Sequence, residues 1–140
     1  MASVSTYLNF RNESEAAFNF YASVFGTEVQ GMMRHGDVPG SNASDEEKDL
    51  VMNAALPILG GHMLMTSDIP PSMGMELTPG NKVQITLHPD TRAEADRLHK
   101  ALSDGGKPGT PMQEMFWGDY YGDLVDKFGV HWLIKSSSKD

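Results

Sequence analysis

From Val4 to Phe10 the chain reads VSTYLNF, an alternation of apolar and polar positions that predicts a β-strand. The period then changes. In NESEAAFNFYASVFG the residues Ala16, Ala17, Phe20, Tyr21 and Val24 fall on one face of a helix. Asn12 is placed to N-cap that helix, Glu15 to close a capping box, and Gly26 to stop it. The same sequence of events recurs. NKVQITLH (81–88) alternates as a half-buried strand should, and PDTRAEADRLHKALSDGG follows with Ala95, Leu98, Ala101 and Leu102 as a stripe. Here Thr91 is the cap, Glu94 completes the box and Gly105 is the stop. Asn12, Glu15 and Gly26 thus return as Thr91, Glu94 and Gly105 at one common offset, the mark of an internal repeat.

Three apolar segments follow each helix: 28–34, 49–59 and 62–68 in the first half, 107–112, 114–126 and 130–135 in the second. Each half closes with a hairpin whose turn holds glycine, LGGHMLM and KFGVHWL. Residues 36–49 are polar, acidic and glycine-containing, a loop with the composition of a mobile one. The proline-rich stretch 67–81 reads as the linker, and the tail SSSKD as a frayed end. The chain is therefore one domain, 1–140, with a first module 1–68, a linker 69–80 and a second module 81–135. The fold class is α+β: two βαβββ modules forming curled mixed β-sheets with the helices outside. A sheet with one helix buries one face only, so the halves pack together or enclose something in a cup between them.

Composition narrows the partners. Hydrophobic residues make up 39% of the 140, enough for a packed interior. The formal net charge of -8, with no basic stripe, argues against nucleic acid. No stretch has the length of a membrane span, and MASVSTYLNF lacks the basic and apolar regions of a signal peptide, so the expected location is cytoplasmic. There are no cysteines, which excludes thiolate metal sites and cysteine nucleophiles. Ten methionines suit core gaps or an adaptable apolar pocket.

Three stretches carry a resemblance: YLNFRNESEAAFNFYASVFGTEV, LGGHMLMTSD and WGDYYGDLVDKFGVHW. With its pattern W-G-D-x-x-G-x-x-x-D-x-F-G-x-x-W, the chain resembles the PhnB-like group of the vicinal oxygen chelate superfamily over nearly its whole length. That superfamily includes glyoxalases, ring-cleaving dioxygenases and antibiotic-resistance proteins. The resemblance implies a glyoxalase-like fold and a homodimer. It also implies a divalent metal held in the cup by His, Glu or Gln. Some members carry a demethylubiquinone methyltransferase label, but no glycine-rich strand-to-helix turn for a nucleotide-type cofactor is present here. A phosphonate pocket, attached at times to the PhnB name, needs Arg, Lys or a metal. Arg11, Arg34, Lys127 and Lys135 are available, and the sequence does not bring them together.

Strand parity tests the metal. Leu8 and Phe10 should face the helix and Tyr7 and Asn9 the cup; Val83, Ile85 and Leu87 the helix, and Gln84, Thr86 and His88 the cup. In metal-binding relatives a late-strand Glu stands four residues after the hairpin glycine. Here those places hold Leu133 and Met65, while Tyr7 stands where a first-strand ligand is expected. Only Gln84 and His88 remain as metal ligands, too few for a centre of three or more. No metal and no other cofactor is expected.

Other histidines read as structural: His62 as surface or hairpin-bonding, His99 as a partly exposed helical residue, His35 as solvated. His131 points into the cup if Val130, Trp132 and Ile134 face the helix, and an imidazole there serves either as a ligand contact or as a general base. In FWGDYYGD the aromatics Phe116, Trp117, Tyr120 and Tyr121 serve either as a pocket wall or as core and interface packing. Asp119 reads as a turn acid or a contact for a ligand cation, and Asp126 with Gly129 as turn chemistry. The expected function is binding of a small apolar or aromatic molecule by Tyr7, Asn9, Met65, Trp117, Tyr121 and His131. The alternative is a lyase, isomerase or dioxygenase-like enzyme using His131, with a divalent metal recruited at Gln84 and His88.

Overall fold

A parallel pair of strands anchors each half of the protein. In a computed structural model, residues 2–137 are described. Contacts divide the chain into two units, Met1–Thr78 and Pro79–Asp140. The first unit contains β1 (Thr6–Phe10), α1 (Ser14–Phe25), β2 (Gln30–Arg34), β3 (Val51–Pro57) and β4 (Met63–Asp68), in the sheet order β1-β4-β3-β2. The second contains β5 (Ile85–Leu87), α2 (Arg92–Ser103), β6 (Lys107–Pro108), β7 (Gln113–Glu114), β8 (Tyr120–Val125) and β9 (His131–Ser136). Its order is β5-β9-β8-β6, with β7 also on β8. The fold is α+β with two mixed, open sheets, and no helix among the described residues is long and apolar enough to cross a membrane.

In the first unit β1 runs parallel to β4, and β4 antiparallel to β3. The helix packs on β3 and β4. Leu56, Leu64, Phe18 and Tyr21 are fully buried under it. The stripe differs from the expected one: Ala16 is exposed and Phe20 half-buried, while Phe18 is buried in their place. The helix start differs as well. Asn12 does not cap; it takes a left-handed conformation (φ 61°), which turns the chain before Ser14. The cap comes instead from the end of β4. Asp68 Oδ1 accepts hydrogen bonds from the backbone N–H of Glu13 (3.1 Å) and Ser14 (3.0 Å), and Oδ2 from that of Val51 (3.0 Å). One buried carboxylate therefore ties β4 to the start of α1 and the start of β3, and its charge sits on the positive end of the helix.

The second helix is capped locally, as its sequence predicts: Thr91 Oγ1 accepts from the Glu94 N–H at 3.1 Å. Glu94 does not close the box, because its carboxylate pairs with Arg97 (2.6 Å). Ala95, Leu98 and Leu102 are buried against Trp132, Ile134 and Leu124. The closing hairpin is organised by Asp126, whose Oδ1 accepts from the N–H of Phe128 and Val130 while Oδ2 accepts from Trp132 Nε1 at 2.8 Å. The Asp126 turn reading holds, and it extends to anchoring the buried indole.

Several segment limits change. Val83 lies outside β5 and is 77% exposed. The segment 107–112 yields only the two-residue β6, and 114–126 is not one strand but β7, a turn and β8. Gly122 permits the edge arrangement: a Cβ there would stand 2.5 Å from Met112 Sδ and 3.1 Å from the Thr110 carbonyl. The loop 36–49 is tied at its base by Gly36 N–H to Lys48 O (2.9 Å) and His35 N–H to Leu50 O (2.9 Å). His35 is not solvated at its tip: Nε2 is buried without a partner among the described residues. In the tail, Ser136 belongs to β9, and 138–140 lie outside the described residues.

Replacing Asp68 by Ala leaves three backbone donors unmatched and is expected to destabilise by about 3 kcal/mol, whereas Thr91→Ala is expected to cost about 1 kcal/mol. Denaturant unfolding of the two variants checks this ranking; equal losses would show that the distant cap has no special weight.

Candidate functional site

The best-defined site lies on the second sheet. Across β8 and β9, Tyr121 stands opposite Lys135, Asp123 opposite Leu133 and Val125 opposite His131, while β5 sets Thr86 beside Leu133. Paired residues share a face. Gly122, Leu124, Trp132 and Ile134 are buried on the α2 side, so these pairs occupy the face turned away from the helix. His131 and Leu133 therefore lie on the side that parity predicts.

The aromatic segment forms a turn at one end of this face. Met115 N–H donates to Asp119 O (2.8 Å) and Gly118 N–H to Met115 O (2.9 Å), with Gly118 at φ 99°, a conformation that favours glycine. Phe116 is 98% and Trp117 49% exposed. Their rings meet edge to face at 4.9 Å, and Trp117 meets Tyr121 in the same way at 6.1 Å. The aromatics thus run from the turn onto the sheet. Tyr120 points the other way, donating to Asp96 Oδ1 on α2 (2.7 Å) beneath the Arg92 guanidinium. The bond and charge of Asp96 push its hydroxyl pKa up.

Tyr121 donates its hydroxyl to Asp123 Oδ2 (3.0 Å), and Asp123 Oδ1 accepts from the Thr110 N–H (2.7 Å). Burial, with the bond and charge of Asp123, raises the Tyr121 pKa. Asp119 is not a free turn acid; its Oδ2 lies 3.3 Å from Lys135 Nζ. Beside this pair opens a cleft of about 470 Å³ lined by His88, Pro89, Asp90, Asp119, Lys135 and Ser137. His131 is four residues from Lys135 on β9, hence about 13 Å along the strand from the Tyr121 end. The face therefore brings Trp117 and Tyr121 together and holds His131 apart.

On the first sheet, Tyr7 stands opposite Met65, Met65 opposite Ala55 and Ala55 opposite Gln30, one row across four strands on the face turned away from α1. Asn9 pairs with Ser67 in the next row. Tyr7 is 49% exposed. Tyr7, Asn9 and Met65 are thus neighbours. His62 bonds to Thr6 Oγ1 at 2.9 Å, and His99 Nε2 lies 2.9 Å from the Asp123 carbonyl, so both have structural bonds. Of the basic residues, Arg34 donates to Glu15 and the Asp49 carbonyl, and Arg11 to the Ile69 and Met75 carbonyls. The two guanidiniums thus serve different parts of the unit and are not brought to one anion site by these bonds.

The donor set does not fit a superfamily-type divalent ion. Tyr7, Met65 and Leu133 occupy the expected ligand places. Gln84 precedes β5, and His88 lines the polar cleft without it. Among the described residues no group of three or more His, Asp or Glu is close enough to hold a metal. The strand-to-helix turns Arg11–Glu13 and His88–Thr91 contain no glycine, so neither forms a glycine-rich phosphate cradle.

Paired βαβ-led modules with open mixed sheets define a glyoxalase-like protein. Residues 2–135 match the family model described as 3-demethylubiquinone-9 3-methyltransferase, and the chain belongs to that family. It is similar to protein PA1353 from Pseudomonas aeruginosa, with 32% identity, a TM-score of 0.85 and coverage of 97% of this chain and 98% of that one. A PhnB protein from Bacillus cereus shares 23% identity with a TM-score of 0.78, covering 96% and 99% of the two chains. A glyoxalase/bleomycin resistance protein/dioxygenase family enzyme from Burkholderia phytofirmans shares the fold at 18% identity and a TM-score of 0.65, over 95% and 98%.

The Tyr121 pKa lies above the ordinary value of about 10, so its contribution to stability is fully present below that pH and is lost as pH rises through the raised value. Asp123→Asn is expected to move the Tyr121 titration down, though not fully, because burial remains. Tyrosinate absorbance, with Tyr121→Phe to identify the transition, checks this; an unmoved titration would contradict the assigned bond.

Proposed function

We propose that this chain binds a small molecule with an apolar or aromatic body on the sheet faces turned away from its helices, without an intrinsic metal. The observation that carries the reading is the aromatic corner of Trp117 and Tyr121, with Leu133 in the next row of the same face. A sheet face meant only for water carries polar residues at such positions. Tyr7, Met65 and Ala55 repeat the pattern on the first sheet, where Asn9 offers a polar contact. Flat aromatics and methionines accept rings of varied shape at low entropic cost. His131 is a further polar contact in this reading. Nothing specific favours it as a catalytic base, since no carboxylate orients its imidazole among the described residues. The family's methyltransferase name is not carried over as an activity, given the strand-to-helix turns.

The test uses N-phenyl-1-naphthylamine, a neutral dye that fluoresces on entering apolar sites. The protein is expected to bind it saturably. Leu133→Lys should weaken binding about tenfold, as burying a ring against a charge forfeits most of its transfer energy. Trp117→Ala should also weaken it. Unfolding midpoints of the variants control for misfolding. Absence of binding, or an unchanged affinity in Leu133→Lys, would sink the reading.

The same reading takes the working form to be a homodimer. Each sheet taken by itself has edge strands, β1 and β2 in one and β5 and the short β6 and β7 in the other, and pairing with a second copy is a common way to protect edges. Light scattering should give twice the chain mass of 15.3 kDa; a mass of one chain at all concentrations would rule the dimer out.

A further inference from the structure

We infer that the ligand of the second unit carries an anionic group, held by Lys135, on a body that lies against Tyr121 and Trp117; this rests on the binding reading above. Lys135 is directly opposite Tyr121 across β8 and β9, so its stem borders the aromatic corner and its ammonium opens into the polar cleft. That ammonium has three protons, and its one acid partner, Asp119, is at 3.3 Å, looser than the roughly 2.7–2.9 Å of a strong charge-assisted bond. Its side chain remains 42% exposed. A carboxylate or sulfonate can therefore add to Lys135 without displacing Asp119.

A cationic ligand is less well served. It would have to compete for Asp119 with an ammonium tethered on the neighbouring strand, which acts at a high effective concentration. The other acid on this face, Asp123, has its oxygens engaged by Tyr121 and by the Thr110 N–H, and so leans toward the β6 edge, away from β9. Asp90 also lines the cleft, where His88 and Ser137 add polar atoms. The arrangement selects an amphiphile with its ring on the turn aromatics and its charge at Lys135.

Two dyes with one ring system test this. 8-Anilinonaphthalene-1-sulfonate is N-phenyl-1-naphthylamine with a sulfonate added. Lys135→Gln is expected to raise the Kd of the sulfonate about five- to tenfold and to move the neutral dye less than about twofold, the loss of one charged hydrogen bond. Asp119→Asn should tighten the sulfonate, because a nearby negative charge is gone. Lys127→Gln, a lysine outside the cleft, should change neither. If Lys135→Gln leaves the ratio of the two affinities unaltered while the neutral dye still binds and is weakened by Trp117→Ala, the anionic group is wrong and the binding reading stands. If neither dye binds, both fall.

Discussion

A helix that begins beside a parallel strand pair has bare N–H groups aimed at the end of that pair, and something must satisfy them. In the first unit the answer is the carboxylate of Asp68, buried at the last residue of β4. It holds the start of α1 and the start of β3 at once. The start of α1 is thereby fixed beside β3 and β4, on which the helix packs, while strand alternation sends Leu64 and Thr66 inward and Met63 and Met65 outward. The second unit meets the same requirement differently. Thr91 caps its own helix, and Asp126 serves the hairpin and Trp132 instead.

The candidate site depends on these anchors indirectly. With Trp132 and Ile134 fixed toward α2, strand alternation leaves His131, Leu133 and Lys135 no choice of face. Pairing with β8 then brings Tyr121 to Lys135. The face carries Lys135 beside the aromatics at one end, and Leu133 and Val125 share its length with Asp123, Thr86 and His131. The family relationship supplies the fold, while the donors that metal-binding members would need are replaced by Tyr7, Met65 and Leu133. Function here must be argued from these side chains and not from the shared architecture.

Much of this was legible in the sequence because it is local. Alternation assigned Tyr7 and Asn9, and His131 and Leu133, to the faces turned away from the helices, since parity needs only the chain itself. Thr91 as cap, Gly26 as stop and the Asp126 turn are likewise short-range. The division of 114–126 into β7, a turn and β8 was hidden because its aromatics have strong strand propensity; the glycine conformation and the pairing partners at the sheet edge overrode it.

What only the tertiary structure decided is long-range. Asn12 and Asp68 carry equally good capping groups, and their separation in sequence gives no hint that the distant one wins. The ion pair of Asp119 with Lys135 and the edge-to-face contact of Trp117 with Tyr121 arise from a hairpin register, which no single strand encodes. The sequence by itself determined the family, the α+β class and the face of most strand residues, because these rest on periodicity and neighbouring residues. Which of those residues become neighbours, and so what chemistry the face presents, was settled by the register of strand pairing, which periodicity within one strand does not contain.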